Sequence, residues 1–141
     1  MARMWPEPEK TRRVVLFVWI AMVASVALHV ALTQVLPPGP TVLDSPLRIP
    51  FYALAFVSAV ASVYFKSRLG SRESKARSLG MVRAGYIVAL AFCEVPSLLG
   101  LVLFFAGRAP NDWLFFVISA LAFAINFPAA SDFESASGVS Q

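Results

Sequence analysis

The chain has 141 residues, of which 58% are hydrophobic and 14% charged, with a mean hydropathy of +0.71. A soluble domain carries about a quarter charged residues, so the balance excludes an ordinary water-soluble enzyme or binding domain and points to lipid as the solvent. The formal charge of +4 does not point to nucleic acid, because the cationic residues collect in two short stretches and no stacking aromatics lie among those of the central loop.

Arg3, Lys10, Arg12 and Arg13 precede the first apolar run, residues 14–36, which is interrupted only by small residues, His29, Thr33 and Gln34. A bilayer core about 30 Å thick needs about 20 helical residues, so this run is long enough to cross with tilt. A basic start before an apolar run also describes a signal sequence, whose core is about 7–15 residues. This run is longer and no small-x-small site follows it, so it is read as an uncleaved span. Pro37, Pro38 and Pro40 end it, since proline cannot continue a helix. A second span is predicted over residues 49–65, with Pro50 in its first turn and Lys66 and Arg68 at the interface. Its shortness leaves a re-entrant segment open.

Residues 67–80 are the one long polar stretch between spans, and their mix of basic, small and helix-forming residues predicts a short interfacial helix bounded by Gly70 and Gly80. A third span is predicted over residues 84–106. Gly107 to Asp112 reads as a tight turn, with Asp112 capping a fourth span over residues 113–127 that Pro128 stops. The Ser-rich tail, residues 131–141, is expected to be disordered.

Four basic residues lie in the N-terminal segment and six around the central loop (Lys66, Arg68, Arg72, Lys75, Arg77, Arg83), against Arg48 and Arg108 in the two hairpin turns. The positive-inside rule therefore places both termini and the central loop in the cytoplasm. Trp5, Tyr64 and Tyr86 fall at the inner interface and Tyr52 and Trp113 at the outer one, as aromatic belts do. The expected fold is all-α, an integral four-helix bundle of two transmembrane hairpins in the cell membrane, with residues 1–130 forming one domain. The lone Cys93 cannot form an intrachain disulfide and reads as a small packing residue.

Glu94 falls about ten residues into the third span, near the bilayer midplane at about 1.5 Å per residue. A charged side chain there costs at least about 2.5–3.5 kcal/mol. The cost is avoided when the acid is protonated and faces other helices or a polar cavity. Pro96 has no N–H, which deprives the carbonyl of Phe92, four residues earlier, of its usual partner. Ser97 is one turn beyond Glu94 on the same face. A carboxyl, a hydroxyl and a free carbonyl (Glu94, Ser97, Phe92) thus converge where a proton or small cation could be held. His29 lies about 9 Å nearer the outer leaflet at helical rise, so direct contact with Glu94 needs tilt or a water. It reads as a neutral imidazole bonded to a neighbouring helix. Asn126 reads as helix glue. No metal cluster, nucleophile triad or phosphate-binding loop is present in the sequence, and neither a metal, a cofactor nor an enzyme activity is expected.

The segment Ala91-Phe92-Cys93-Glu94-Val95-Pro96-Ser97-Leu98-Leu99-Gly100-Leu101-Val102-Leu103 resembles the second helix of rotor-ring proteolipids, the c subunits of rotary ATPases. The resemblance implies that Glu94 is the ion carrier and that Gly100 sits at a close-packing position. The second span, with Ala53, Ala55, Ser58, Ala59, Ala61 and Ser62, resembles the small-residue first helix of that family loosely.

Three functions are expected as alternatives. The first is a proton- or cation-linked membrane protein working through Glu94. The second is a structural or accessory subunit of a membrane complex. The third is a small multidrug-type transporter, a family that carries its glutamate in the first span. The expected partners are the lipid bilayer and either further copies of the chain or another membrane protein.

Overall fold

In the computed structural model the described residues are 8–39, 45–70, 79–107 and 112–136. Trp5 lies outside them, as do residues 71–78 of the predicted interfacial helix and residues 137–141 of the tail. The described residues form helices α1 (Pro8–Val35), α2 (Ser45–Gly70), α3 (Leu79–Ala106), α4 (Trp113–Ile125) and α5 (Ala130–Ala136), with no strand among them. The fold is all-α, as the composition implies.

Three helices, α1, α2 and α3, are long and apolar enough to cross a membrane. Their outer faces carry Phe17, Ile49 and Phe56 at 74%, 67% and 66% exposure. Such faces suit hydrocarbon, and the chain reads as membrane-embedded. The apolar α4 has 13 residues and is about 20 Å long at helical rise, shorter than the bilayer core.

The central element is α3, which packs on all four other helices and most extensively on α2. Of its apolar window 39% is buried, against 17% in α1 and in α2. One core cluster joins Val15 and Val26 of α1 and Leu90 and Cys93 of α3 to Phe123 of α4 and Phe133 of α5. A second joins Ala55 of α2, Leu103 of α3 and Phe115 of α4.

Glycine sets two close approaches. Beyond α1 the chain folds onto the end of α3, where Gly39 N–H donates to the Phe104 carbonyl, 3.0 Å. A Cβ at Gly39 would lie 2.2 Å from the Phe105 carbonyl oxygen. A Cβ at Gly100 would lie 2.8 Å from Phe115 Cβ, so α3 and α4 meet there with no room for a methyl group.

Five expectations need correction. Helix α2 starts at Ser45, so Pro46 takes the first-turn place and Pro50 lies inside the helix. Asp112 occupies the N-cap position of α4 with helical dihedrals and makes no side-chain cap bond; its carbonyl accepts from Phe115 N–H, 3.2 Å. Tyr86 is 1% exposed, too buried for an interfacial belt, and stacks on Phe133 with centroids 5.3 Å apart. Residues 131–136 of the tail expected to be disordered lie in α5, because Phe133 brings a large buried apolar side chain to an otherwise largely polar segment. Gly70 and Gly80, read as the ends of one loop helix, are the last residue of α2 and the second of α3.

Candidate functional site

Helices α1 and α3 lie along one another in the same direction: Ser25 meets Glu94, His29 meets Ser97, and Gly39 meets Phe104. Each helix brings two polar side chains separated by one turn, at i and i+4 on α1 and at i and i+3 on α3. In an apolar helix a polar side chain finds no partner in lipid, so the two pairs turn toward each other.

Ser25 Oγ donates to Glu94 Oε1 at 2.6 Å. Ser97 Oγ donates to the carbonyl of Glu94 at 2.9 Å, and His29 Nδ1 lies 3.1 Å from Ser97 Oγ. Ser97 is fully buried and His29 is 9% exposed, while Ser25 and Glu94 are half-buried. A hydroxyl has one proton to give. With that proton directed to the Glu94 carbonyl, the Ser97 oxygen is left to accept, which His29 Nδ1–H satisfies in the tautomer protonated there. His29 does not touch Glu94 directly; it reaches the same turn of α3 through Ser97.

This arrangement suits proton exchange. A serine hydroxyl donates to a carboxylate and accepts from a carboxylic acid equally well, so the Ser25–Glu94 pair survives gain or loss of a proton. Ser25 was not among the residues singled out from sequence. The signal that could have found it is its place one turn before His29 on the same face of α1.

Phe92 does not join this group through its side chain, whose ring stacks on Phe65 of α2 with centroids 5.3 Å apart. Beside Pro96, the carbonyl that receives a hydroxyl from another helix is that of Cys93, from Ser119 Oγ of α4 at 2.6 Å. Asn126 lies elsewhere, wholly buried between α2, α3 and α4. Its Nδ2 reaches Ser62 Oγ at 3.0 Å, Cys93 Sγ at 3.4 Å and the Ala122 carbonyl at 2.9 Å. Because the Ala122 carbonyl can only accept, the amide nitrogen must face it.

Toward the ends of α2 and α4, Lys66 Nζ donates to the carbonyls of Ile125 at 3.1 Å and Phe127 at 3.3 Å, and Trp19 Nε1 to that of Phe123 at 3.0 Å. The Tyr86 hydroxyl donates to Asp132 Oδ2. Among the described residues no three His, Cys, Asp or Glu side chains converge as metal ligands would. Compared with protein-family models, with curated proteins and with solved structures, the chain matches none.

Proposed function

We propose that the protein is a proton-linked membrane protein in which Glu94 takes up and releases the proton, Ser25 orients its carboxyl, and His29 with Ser97 forms the adjoining polar step. The observation that carries this reading is the 2.6 Å contact between Ser25 Oγ and Glu94 Oε1, with the chain's one histidine bonded to the next turn of the same helix. An acid that served packing alone would gain little, since intramembrane hydrogen bonds average only about 0.6 kcal/mol. The resemblance of residues 91–103 to the carboxylate-bearing helix of rotor-ring proteolipids favours the same role.

In this reading the chain forms two hairpins with both termini and the basic loop on the cytoplasmic side, and it works as an oligomer. The shared direction of α1 and α3 supports the hairpin arrangement, because first and third spans must run parallel. The largely uncovered apolar faces of α1 and α2 support further copies around it. Those faces equally favour a second reading, an accessory subunit in which Glu94 only fixes α1 against α3.

Carbodiimide labelling in lipid nanodiscs across pH separates the two. The reagent attacks protonated carboxyls in reach of the aqueous phase, and Glu94→Gln serves as the blank. A proton carrier labels at Glu94, less as pH rises, and Ser25→Ala changes the rate. Absence of Glu94 labelling at every pH overturns the proton reading and leaves the accessory subunit.

A further inference from the structure

The seam between α1 and α3 is lined differently on the two sides of the Ser25–Glu94 pair. Toward the start of α1 it is apolar: Val15, Met22 and Val26 of α1 pack with Leu90 of α3, Phe123 of α4 and Phe133 of α5. Polar groups on that side are committed within the fold, Trp19 Nε1 to the Phe123 carbonyl and the Tyr86 hydroxyl to Asp132. Thr11, buried near the start of α1, is about 21 Å from the level of Ser25 at helical rise.

Toward the end of α1 the seam is polar at each turn. Ser25, His29 and Thr33 recur at i, i+4 and i+8. The first two meet Glu94 and Ser97. Thr33 is half-buried; its hydroxyl donates to the Val30 carbonyl at 2.7 Å, which leaves its oxygen to accept from water. Two residues later α1 ends at Val35, 81% exposed. Past Val26, α1 enters neither core cluster: the apolar cluster beyond the site joins Ala55 of α2 to Leu103 of α3 and Phe115 of α4. Ionisable side chains inside a membrane face other helices or a water-filled cavity, and here the polar wall leads one way.

We propose that Glu94 exchanges its proton with the aqueous phase at the Val35 end of α1 alone, through water admitted along Thr33, His29 and Ser25. The apolar cluster around Val15 and Phe123 closes the route toward the start of α1. This rests on the proton reading of Glu94 and adds Thr33 to it as a positioning residue, which holds the entering water and does not touch the carboxyl. Each proton taken up becomes the O–H of the Glu94 carboxyl and leaves along the same path, so a single chain in this conformation serves one side of the membrane.

The test uses the full-length protein in lipid nanodiscs on a Cys93→Ala background. His29→Cys and Met22→Cys place a thiol at comparable depths on either side of Ser25, and a water-soluble cationic methanethiosulfonate reads their contact with water. His29→Cys is expected to react about tenfold faster than Met22→Cys, since only a solvent-reached thiolate is attacked. Should His29→Cys fail to assemble, Thr33→Cys gives the same comparison. Labelling of Glu94 is then followed with two carbodiimides, one water-soluble and one hydrophobic. The hydrophobic reagent arrives from lipid, because the exposed Ala91 and Leu98 flank Glu94 on α3. Thr33→Val is expected to slow the water-soluble reagent about threefold, the equivalent of one modest hydrogen bond, and to leave the hydrophobic reagent unaffected. Equal reaction of the two cysteine variants, or faster reaction of Met22→Cys, overturns the one-sided route while labelling by the hydrophobic reagent keeps the proton reading in place. A Thr33→Val effect on both reagents alike, or on neither, overturns the part given to Thr33. If neither reagent labels Glu94, the proton reading itself falls and the route falls with it.

Discussion

Beside Pro96, α4 bonds the backbone of α3: Ser119 Oγ donates to the Cys93 carbonyl at 2.6 Å in a fully buried setting. Neither water nor lipid can replace that hydroxyl. Ser119→Ala is therefore expected to destabilise the fold by about 0.6 kcal/mol and by no more than about 1.7 kcal/mol, the range of intramembrane hydrogen bonds. Ser67→Ala removes an exposed hydroxyl bonded within its own helix to the Tyr64 carbonyl, and is expected to be near neutral. Reversible unfolding in mixed micelles measures both, and equal effects would mean that the interhelical bond adds nothing. The same scale explains what the sequence could reveal of the site. Glu94 and Ser97 were legible because a polar residue deep in an apolar run has few physical reasons to be there. Ser25 was not, because serine is common in such runs and only its register against His29 distinguishes it. Pro96 marks the Phe92 carbonyl as the one without its usual donor, whereas the bond from Ser119 to the neighbouring Cys93 carbonyl depends on where α4 lies and has no sequence signal.

Between elements, close approach is decided by two positions without side chains. A methyl group on Gly39 would sit 2.2 Å from the backbone oxygen of Phe105, which cannot swing aside. A methyl group on Gly100 would sit 2.8 Å from Phe115 Cβ, so α3 and α4 would have to part. Overpacking of this kind costs about 1–3 kcal/mol. Gly39→Ala and Gly100→Ala should each lower unfolding stability by about that amount. Gly80→Ala, on the exposed first turn of α3, should instead raise it by about 0.5 kcal/mol, because alanine loses less backbone freedom. Loss of stability in all three, or in none, would contradict the packing. The helices themselves were largely legible, since a segment that crosses lipid must be apolar for about 20 residues. Their ends were less so: α2 begins four residues before the predicted span, because Ser45 and Pro46 start a helix that hydropathy alone does not register. Which faces meet was not legible, because packing between membrane helices follows shape and small residues more than hydrophobicity.

The whole molecule has to close α4, a helix of 13 residues, well inside the length of its neighbours. A helix end leaves unsatisfied carbonyls, and here two other helices bring donors to them: Trp19 from α1 to Phe123, Lys66 from α2 to Ile125 and Phe127. The ammonium also complements the negative end of the α4 dipole and lies 5.4 Å from the Tyr86 ring centroid. Lys66 thereby links α2, α3 and α4 at the end where α5 folds over Tyr86. A sequence reading treats Lys66 as one more cytoplasmic charge, equivalent to Arg83. The structure makes the two unequal, since Arg83 is exposed. Lys66→Met is expected to cost about 1.5 kcal/mol, in keeping with loss of charge-assisted hydrogen bonds at a half-buried site. Arg83→Met, which removes the same charge, should cost less than about 0.5 kcal/mol. Unfolding in micelles compares them directly, and the matched charge change keeps any effect on membrane orientation common to both. If the two losses are equal, Lys66 acts only as a topology charge and the end of α4 is satisfied by other means; if Lys66→Met alone destabilises, that lysine joins three helices into one folding unit.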